Sequence, residues 1–285
     1  MPLDYERLLS AKIPDREQTY AERDTIIYAL SVGMGVDPLD ERQLRFVYEK
    51  NLSVLPTFAS TLAWKRFAEI DIGLTYAKMV HGEQRMIMHR PVPSSGSVVS
   101  KMRVKDVVDR GADKGAVVYF ERQLIDQADQ QPISTQTLTI FARADGGFGG
   151  PERPMLPNHP LPERAPDIVQ DIAVSPRAAL LYRLCGDVNA LHIDPAVAKK
   201  AGFERPILHG LATYGYCGRL VLDSVCGGDP SRLTALDGRF SAPVFPGETI
   251  RGEMWIDGDV VSLRVKALER DTIVFNNGRA VVRAA

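Results

Sequence analysis

The sequence predicts an α+β fold built twice over, each half a helix followed by a run of antiparallel strands. Three observations carry this. Each half reads helix first and strands second. A proline-rich stretch separates the halves at 151–166. The apolar segment after His209 has helical spacing yet contains Gly215 and Gly218, as a helix needs when a curved sheet approaches its backbone closely.

The bulk numbers narrow the class. The chain has 285 residues, with 45% hydrophobic and 25% charged residues, as in a soluble globular protein. Its net charge is −1, so no global field favours nucleic acid or an anionic membrane. No run of about 18 apolar residues exists, so no membrane-spanning helix is expected. Cys185, Cys217 and Cys226 form no C-x-x-C pair. A disulfide framework and a structural zinc site are not expected, and a reducing cytoplasm is. The start, Met1 to Arg7, lacks an apolar signal region, and the end, Val281 to Ala285, lacks a Ser-Lys-Leu address. The protein is therefore expected to be free-standing and cytoplasmic.

Residues 1–20 are polar and are expected to be only partly anchored. Asp24 to Gly35 carries Ile26, Ile27, Leu30 and Val32 and predicts a helix, closed by Asp37-Pro38. Leu44 to Leu55 reads as strand-like or mixed, and Pro56 to about Ala68 as a further helical stretch. From Gln84 the pattern changes. Arg85–Arg90, Ser97–Val108, Gly115–Gln127 and Ile133–Ala144 are rich in β-branched and aromatic residues, with turn signals between them. Sequential strands with short turns imply an antiparallel sheet.

Gly146-Gly147-Phe148-Gly149-Gly150-Pro151 ends that sheet. Five further prolines, Pro154, Pro157, Pro160, Pro162 and Pro166, exclude a regular helix or a central strand and predict a semi-rigid linker. The predicted division is 1–150, a linker at 151–166, and 167–285.

In the second half, Ile172 to Arg183 leads into a polar loop. His209-Gly210 then opens an apolar helix reaching about Cys226. Strands follow near Arg232–Phe240, Thr249–Asp257, Val260–Leu268 and Thr272–Val282. Each helical glycine costs about 1 kcal/mol relative to alanine, and close wrapping by a sheet recovers it. That matches a hot-dog fold, in which an antiparallel sheet curls around a central helix, and the repeated order of elements suggests a duplicated architecture. Exposed sheet edges suggest a homodimer.

Chemistry concentrates between the two helices of this half. Asp187, Asn189 and His192 place a carboxylate, a carboxamide and an imidazole within six residues. On a continuous helix Asp187 and His192 would sit roughly 140° apart, so the segment is expected to be an irregular turn. Asp194-Pro195 supports this, because a residue before proline avoids the α region. A short helix should follow, capped by Asp194 and closed by Gly202. Singly, Asp187 and Asn189 read as turn residues, and His192 as a core histidine bonded to a carbonyl. Together they read as an acid–base site. Gly210, at the start of an apolar helix, offers a buried N–H to a developing oxyanion. His209 reads as a cap or supporting hydrogen bond rather than a participant.

Other patterns are weaker. Gly33-Met34-Gly35 lacks the rest of a dinucleotide fingerprint. Gly147-Phe148-Gly149-Gly150 reads equally as a phosphate cradle or a turn. No nucleophile elbow, P-loop or H-E-x-x-H is present, which disfavours serine, nucleotide and zinc hydrolases.

Tyr182 to Asn189, Ala201 to Leu211 and Arg239 to Thr249 together resemble the MaoC-like, hydratase-2 type (R)-specific enoyl-CoA hydratases. Tyr28 to Gly33, Leu55 to Phe58, His81 to Gln84 and Gly147 to Gly150 resemble that family's N-terminal repeat. The D-x-N-x-x-H element is the most specific part. The resemblance implies a double hot-dog, two antiparallel sheets each wrapped around a central helix, whose first half lacks the catalytic motif and helps to house the acyl chain. It implies that Asp187 and His192 are the catalytic pair, that Asn189 positions the pair or the substrate, and that the Gly210 N–H is the oxyanion donor. His81, Gly82 and Phe240 match acyl-CoA contacts, and Arg110 or Lys114 a basic contact to CoA. Ala190 stands where the family usually has proline, which should alter loop stiffness only.

The expected reaction is reversible hydration of a trans-2-enoyl-CoA to a (3R)-3-hydroxyacyl-CoA, without metal or redox cofactor, CoA being part of the substrate. The expected partner is the acyl-CoA thioester, with no nucleic acid and no membrane. Alternatives from the same residues are a hydratase for bulky acyl-CoA such as steroid side-chain thioesters, a hot-dog thioesterase, and a non-catalytic acyl-CoA-binding protein.

Overall fold

Ten strands join into one antiparallel sheet whose order is the same in both halves when read from edge to centre. A computed structural model describes residues 3–151 and 153–284, the side chain of Ala68 apart. Met1, Pro2 and Ala285, which belong to the termini discussed above, lie outside the described residues, as does Glu152 of the proline-rich stretch. The first-half strands are β1 (Arg16–Tyr20), β2 (Met79–Met88), β3 (Gly96–Asp109), β4 (Ala116–Asp126) and β5 (Pro132–Ala142). The second-half strands are β6 (Ile168–Ala173), β7 (Leu233–Phe240), β8 (Thr249–Asp257), β9 (Val260–Ala267) and β10 (Thr272–Val282). The order β1-β3-β4-β5-β2-β7-β10-β9-β8-β6 makes β1 equivalent to β6 and β2 to β7. The two half-sheets join at a β2–β7 seam, where Glu83 faces Arg239 and Arg85 faces Asp237. The expected double hot-dog is therefore built as one continuous sheet rather than two separate ones.

The helices are α1 (Tyr5–Leu9), α2 (Glu22–Ser31), α3 (Glu41–Leu44), α4 (Ala178–Tyr182), α5 (Pro195–Lys200) and α6 (Gly210–Ser224). α6 is the central helix of the second half, with every residue from Leu211 to Leu222 buried. Two of its glycines, Gly215 and Gly218, face the first half. A Cβ on Gly215 would lie 2.6 Å from Val32 and 2.7 Å from Tyr28 Oη, and one on Gly218 2.6 Å from Thr57. Close approach explains both glycines.

The first half departs from the expected plan. Where α6 lies in the second half, the first has a short 3₁₀ turn, Pro56–Ser60, not a helix running towards Ala68. The Ser60 and Thr61 hydroxyls donate back to Thr57 O and Phe58 O at 2.7 and 2.9 Å, competing with a helical ladder. Ala63 then turns left-handed at φ 49°. Arg122, fully buried on β4, pins the segment by donating to the carbonyls of Ala59, Ser60 and Leu62. Residues 45–51 are turns and bends and 52–55 are irregular, with no strand. Residues 3–20 are better anchored than their polarity suggests. Leu8 and Ile13 bury against β3, β4 and β5, and β1 pairs with β3.

The proline-rich stretch lies across the outer face of the sheet. Leu156 N donates to Tyr119 Oη at 3.0 Å, Arg85 to Pro157 O at 3.0 Å, and Trp255 Nε1 to Arg164 O at 2.7 Å. Lacking ladder donors, prolines suit a strap held by its carbonyls. No helix of the described residues is long and apolar enough to cross a membrane.

Candidate active site

The polar loop after α4 is a chain of side-chain caps. Gly186, at φ 119°, ends the 3₁₀ turn Arg183–Cys185 and reverses the chain into Asp187. Asp187 Oδ1 accepts from Asn189 N at 3.2 Å, and Asn189 Oδ1 accepts from Leu191 N at 3.1 Å. Asn189 thereby caps the turn Ala190–His192. Asp194 caps α5, accepting from Ala196 N at 2.8 Å, with Pro195 at the first helical position, as expected. The turn roles of Asp187 and Asn189 are real.

His192 is buried. Its Nδ1 lies 2.9 Å from Ile207 O. A carbonyl only accepts, so Nδ1 carries the proton and Nε2 the lone pair. His209 Nε2 lies 3.1 Å from the Asp187 carbonyl oxygen, so its lone pair is on Nδ1, which is buried without a hydrogen-bond partner. Burial pushes the His192 pKa down, against the Ile207 carbonyl and the Asp187 charge. Burial and then the neighbouring His192 push His209 far down. Both rings are neutral near pH 7. A carboxylate oxygen of Asp187 and one ring nitrogen from each histidine lie within 4.8 Å of one another.

Those three groups are also a candidate metal set. The rings, however, stack with centroids 3.8 Å apart and planes at 27°. In-plane lone pairs on nearly parallel rings do not converge on one tetrahedral point, as zinc requires.

Gly210 is the first residue of α6, ahead of the first-turn bond from Ala212 N to His209 O at 3.1 Å. As a residue it is exposed. The reason is its place at a mouth, where an added Cβ would sit 3.9 Å from the Phe240 ring. The Phe240 ring meets His81 edge-on, centroids 5.2 Å apart. His81 Nε2 lies 3.1 Å from Glu83 O, and burial pushes its pKa down to about 4. A Cβ on Gly82 would lie 2.0 Å from Phe141.

Outside this mouth runs a groove of about 560 Å³ lined by Gly82, Phe240, Lys114, Arg143 and Arg239. The structure brings Lys114 to it. Arg110 does not line it and lies against Met155 instead. The glycine loop is no open cradle: Gly147 N and Gly149 N donate to the Asp109 carboxylate at 2.8 and 2.7 Å. A carboxylate of the chain occupies the place a phosphate would take. Sequence reasoning missed Arg143 and Arg239, which the sheet brings to Lys114. It also missed Tyr182, whose ring centroid lies 4.8 Å from that of His209. Arg239 and Tyr182 do lie within the stretches that carried the resemblance.

The comparisons agree along both halves. A model described as MaoC like domain matches residues 157–277, and one described as MFE-2 hydratase 2 N-terminal domain matches 18–144. The chain is 39% identical to Enoyl-CoA hydratase 2, peroxisomal, of Arabidopsis thaliana, over 94% of this chain and 92% of that one. It is 37% identical to Enoyl-CoA hydratase ChsH3 of Mycobacterium tuberculosis over 100% of both. A crystal structure of a MaoC-like dehydratase from Phytophthora capsici matches with TM-score 0.88 and 32% identity, covering 98% of this chain and 99% of that one. Similarity of this extent, over the same residues that form the mouth and the Asp187 loop, shows that the chain belongs to the MaoC-like, hydratase 2 family.

Proposed function

We propose that the reaction is carried by Asp187 and His192, with the Gly210 N–H as oxyanion donor. The chain is an (R)-specific 2-enoyl-CoA hydratase, a hydro-lyase that adds water reversibly to trans-2-enoyl-CoA to give (3R)-3-hydroxyacyl-CoA. The observation that carries the residue assignment is the closeness of the Asp187 carboxylate to a ring nitrogen of His192, within 4.8 Å, in a ring whose Nδ1 proton is engaged by Ile207 O so that Nε2 carries the lone pair. A water donating one proton to each turns its oxygen lone pair outward, towards C3. The water oxygen bonds to C3 and one of its protons stays on the new hydroxyl. The other leaves to the acceptor pair and is passed to C2. The π electrons withdraw towards the thioester oxygen, which the first N–H of α6 stabilises. The thioester itself acidifies C2, so the chemistry calls for no metal or redox group.

The basic groove supports CoA as the carrier. Lys114, Arg143 and Arg239 set three cations at the mouth of a chain with net charge −1. Asn189 holds the loop that presents Asp187. Residues 1–150 help to house the acyl group, 151–166 form the strap, and 167–285 carry the chemistry. A cytoplasmic location and a homodimer belong to the same proposal. The first is supported by three unbridged thiols, and the second by the two edge strands β1 and β6. Sedimentation of the purified chain tests the dimer.

The test is loss of enoyl-thioester absorbance with trans-2-decenoyl-CoA, with chiral analysis of the product. Wild type should give the 3R alcohol. Asp187→Asn and His192→Ala should each lower kcat by about 10²–10⁴-fold with little change in KM. Equal loss in kcat and affinity would count against these roles, and release of free CoA would favour a thioesterase.

A further inference from the structure

Two adjoining cavities that share no lining residue with the basic groove lead away from Asp187. The inner one, about 10 Å³, touches Asp187, Tyr182 and Leu211 and is closed by Thr61, Trp64 and Cys185. The outer one, about 270 Å³, has Ile27, Phe58 and Leu184 in its wall and reaches Arg16 and Asp24. Thr61, Trp64 and Cys185 line both. The inner space holds no more than about one water-sized sphere, and the outer chamber could take a substantial hydrocarbon tail.

We propose that Trp64 is the gate between the two, and that it sets how the protein discriminates short acyl tails from long or branched ones. This rests on the hydratase reading for the direction of the tail. A tail leaving the reacting carbons beside Asp187 meets the indole first. Tyr182 and Leu211 are buried members of the shared core, whereas Trp64 is only partly buried and packs against the core from outside. It stands just outside the 3₁₀ turn, after left-handed Ala63, on a stretch of turns with no strand or α-helix ladder. Its ring is only partly buried and rests edge-on against Phe67, with centroids 5.9 Å apart. Leu184, 60% exposed, forms an apolar lip to the outer chamber, where a tail would cover a side chain that otherwise faces water. The chamber opens to solvent, so a long tail has no end wall to meet once past the indole.

The experiment compares kcat/KM for crotonyl-CoA and trans-2-decenoyl-CoA in wild type, Trp64→Ala and Cys185→Trp, with circular dichroism as the folding control. Trp64→Ala should raise the decenoyl-to-crotonyl ratio about tenfold, mainly through KM, and Cys185→Trp should lower it about tenfold. Ratios within twofold of wild type in both folded variants would overturn the gate. A second readout needs no turnover. In Trp255→Phe, Trp64 is the sole tryptophan, the chain having two, and decanoyl-CoA should shift its emission where butyryl-CoA does not. Equal response to both saturated esters would count against the gate. A shift with decanoyl-CoA alone, in a protein that hydrates neither enoyl ester, would support the gate and remove the hydratase reading.

Discussion

The imidazoles of His192 and His209 stack with centroids 3.8 Å apart, each held by a backbone carbonyl, Ile207 O for one and Asp187 O for the other. His209 therefore acts on the site twice, supporting the His192 ring and tying down the backbone of Asp187. His209→Ala should lower kcat about 10²-fold, the usual cost of a misplaced acid–base pair. His209→Gln keeps a donor for the Asp187 carbonyl and should lose less than about tenfold, if the carbonyl tie matters more than the ring. Steady-state kinetics on decenoyl-CoA separate the two. Wild-type turnover in His209→Ala would remove the residue from the site.

The proposed mechanism uses a neutral His192. Burial lowers its pKa from 6.5, so the acid limb of kcat/KM should fall below pH 6.5, with a flat profile from there to pH 8. An acid limb centred above 6.5 would contradict the buried, neutral ring.

Stability should follow the same histidines. The folded-state pKa values of His81, His192 and His209 are all depressed. As pH falls below about 6.5, the unfolded chain takes up protons that the folded chain refuses, so stability drops, by at most about 1.4 kcal/mol per pH unit for each histidine. For His81 the loss ends near pH 4, where the folded ring also protonates. Asp223 and Asp237, raised by burial, act in the opposite sense and offset part of the loss. Thermal melts at pH 7 and pH 5 should show a clear fall in Tm, and an unchanged Tm would count against the burial of these rings.

The basic groove should contribute to substrate binding rather than to chemistry. Arg239→Glu or Lys114→Glu should raise KM for a CoA ester about tenfold and leave kcat near wild type. The corresponding pantetheine ester, which lacks the nucleotide phosphates, should be indifferent. Rising salt should erase the difference. Equal effects on both esters would place the CoA phosphates elsewhere.

Two packing predictions follow from the junction of the halves. Gly215→Ala improves helix propensity by about 1 kcal/mol but forces a methyl to within 2.7 Å of buried Tyr28 and Val32. Overpacking of about 1–3 kcal/mol should outweigh the gain, so Tm should fall. Arg122→Met leaves the carbonyls of Ser60 and Leu62 without their side-chain donor, Ala59 O keeping Gln136 Nε2 at 3.0 Å, and should cost about 3 kcal/mol or more in chemical denaturation. A neutral result at Arg122 would show that the Pro56–Ser60 turn holds itself.

Strands of the second half were legible in the sequence because their alternation is strong: β8 and β10 coincide with the expected spans. The cap at Asp194 was legible for a similarly local reason. β1 was not, since Arg16-Glu17-Gln18-Thr19-Tyr20 is polar and an edge strand needs no apolar face along its length. The 3₁₀ turn at Pro56 was not legible either, because Arg122, which fixes it, stands more than sixty residues away. The cationic groove depended on Lys114, Arg143 and Arg239 meeting across a seam that no local pattern specifies.

By itself the sequence determined the α+β duplication, the proline-rich break between the halves, and the loop carrying Asp187, Asn189 and His192, because periodicity, proline content and capping are local properties. Tertiary structure alone decided that the half-sheets are continuous, that His209 stacks on His192, that Asp109 fills the glycine loop, and that Trp64 stands between two cavities. Those relationships join residues distant in sequence. They depend on which faces the folded chain presses together, and burial then sets the protonation of the groups caught between them.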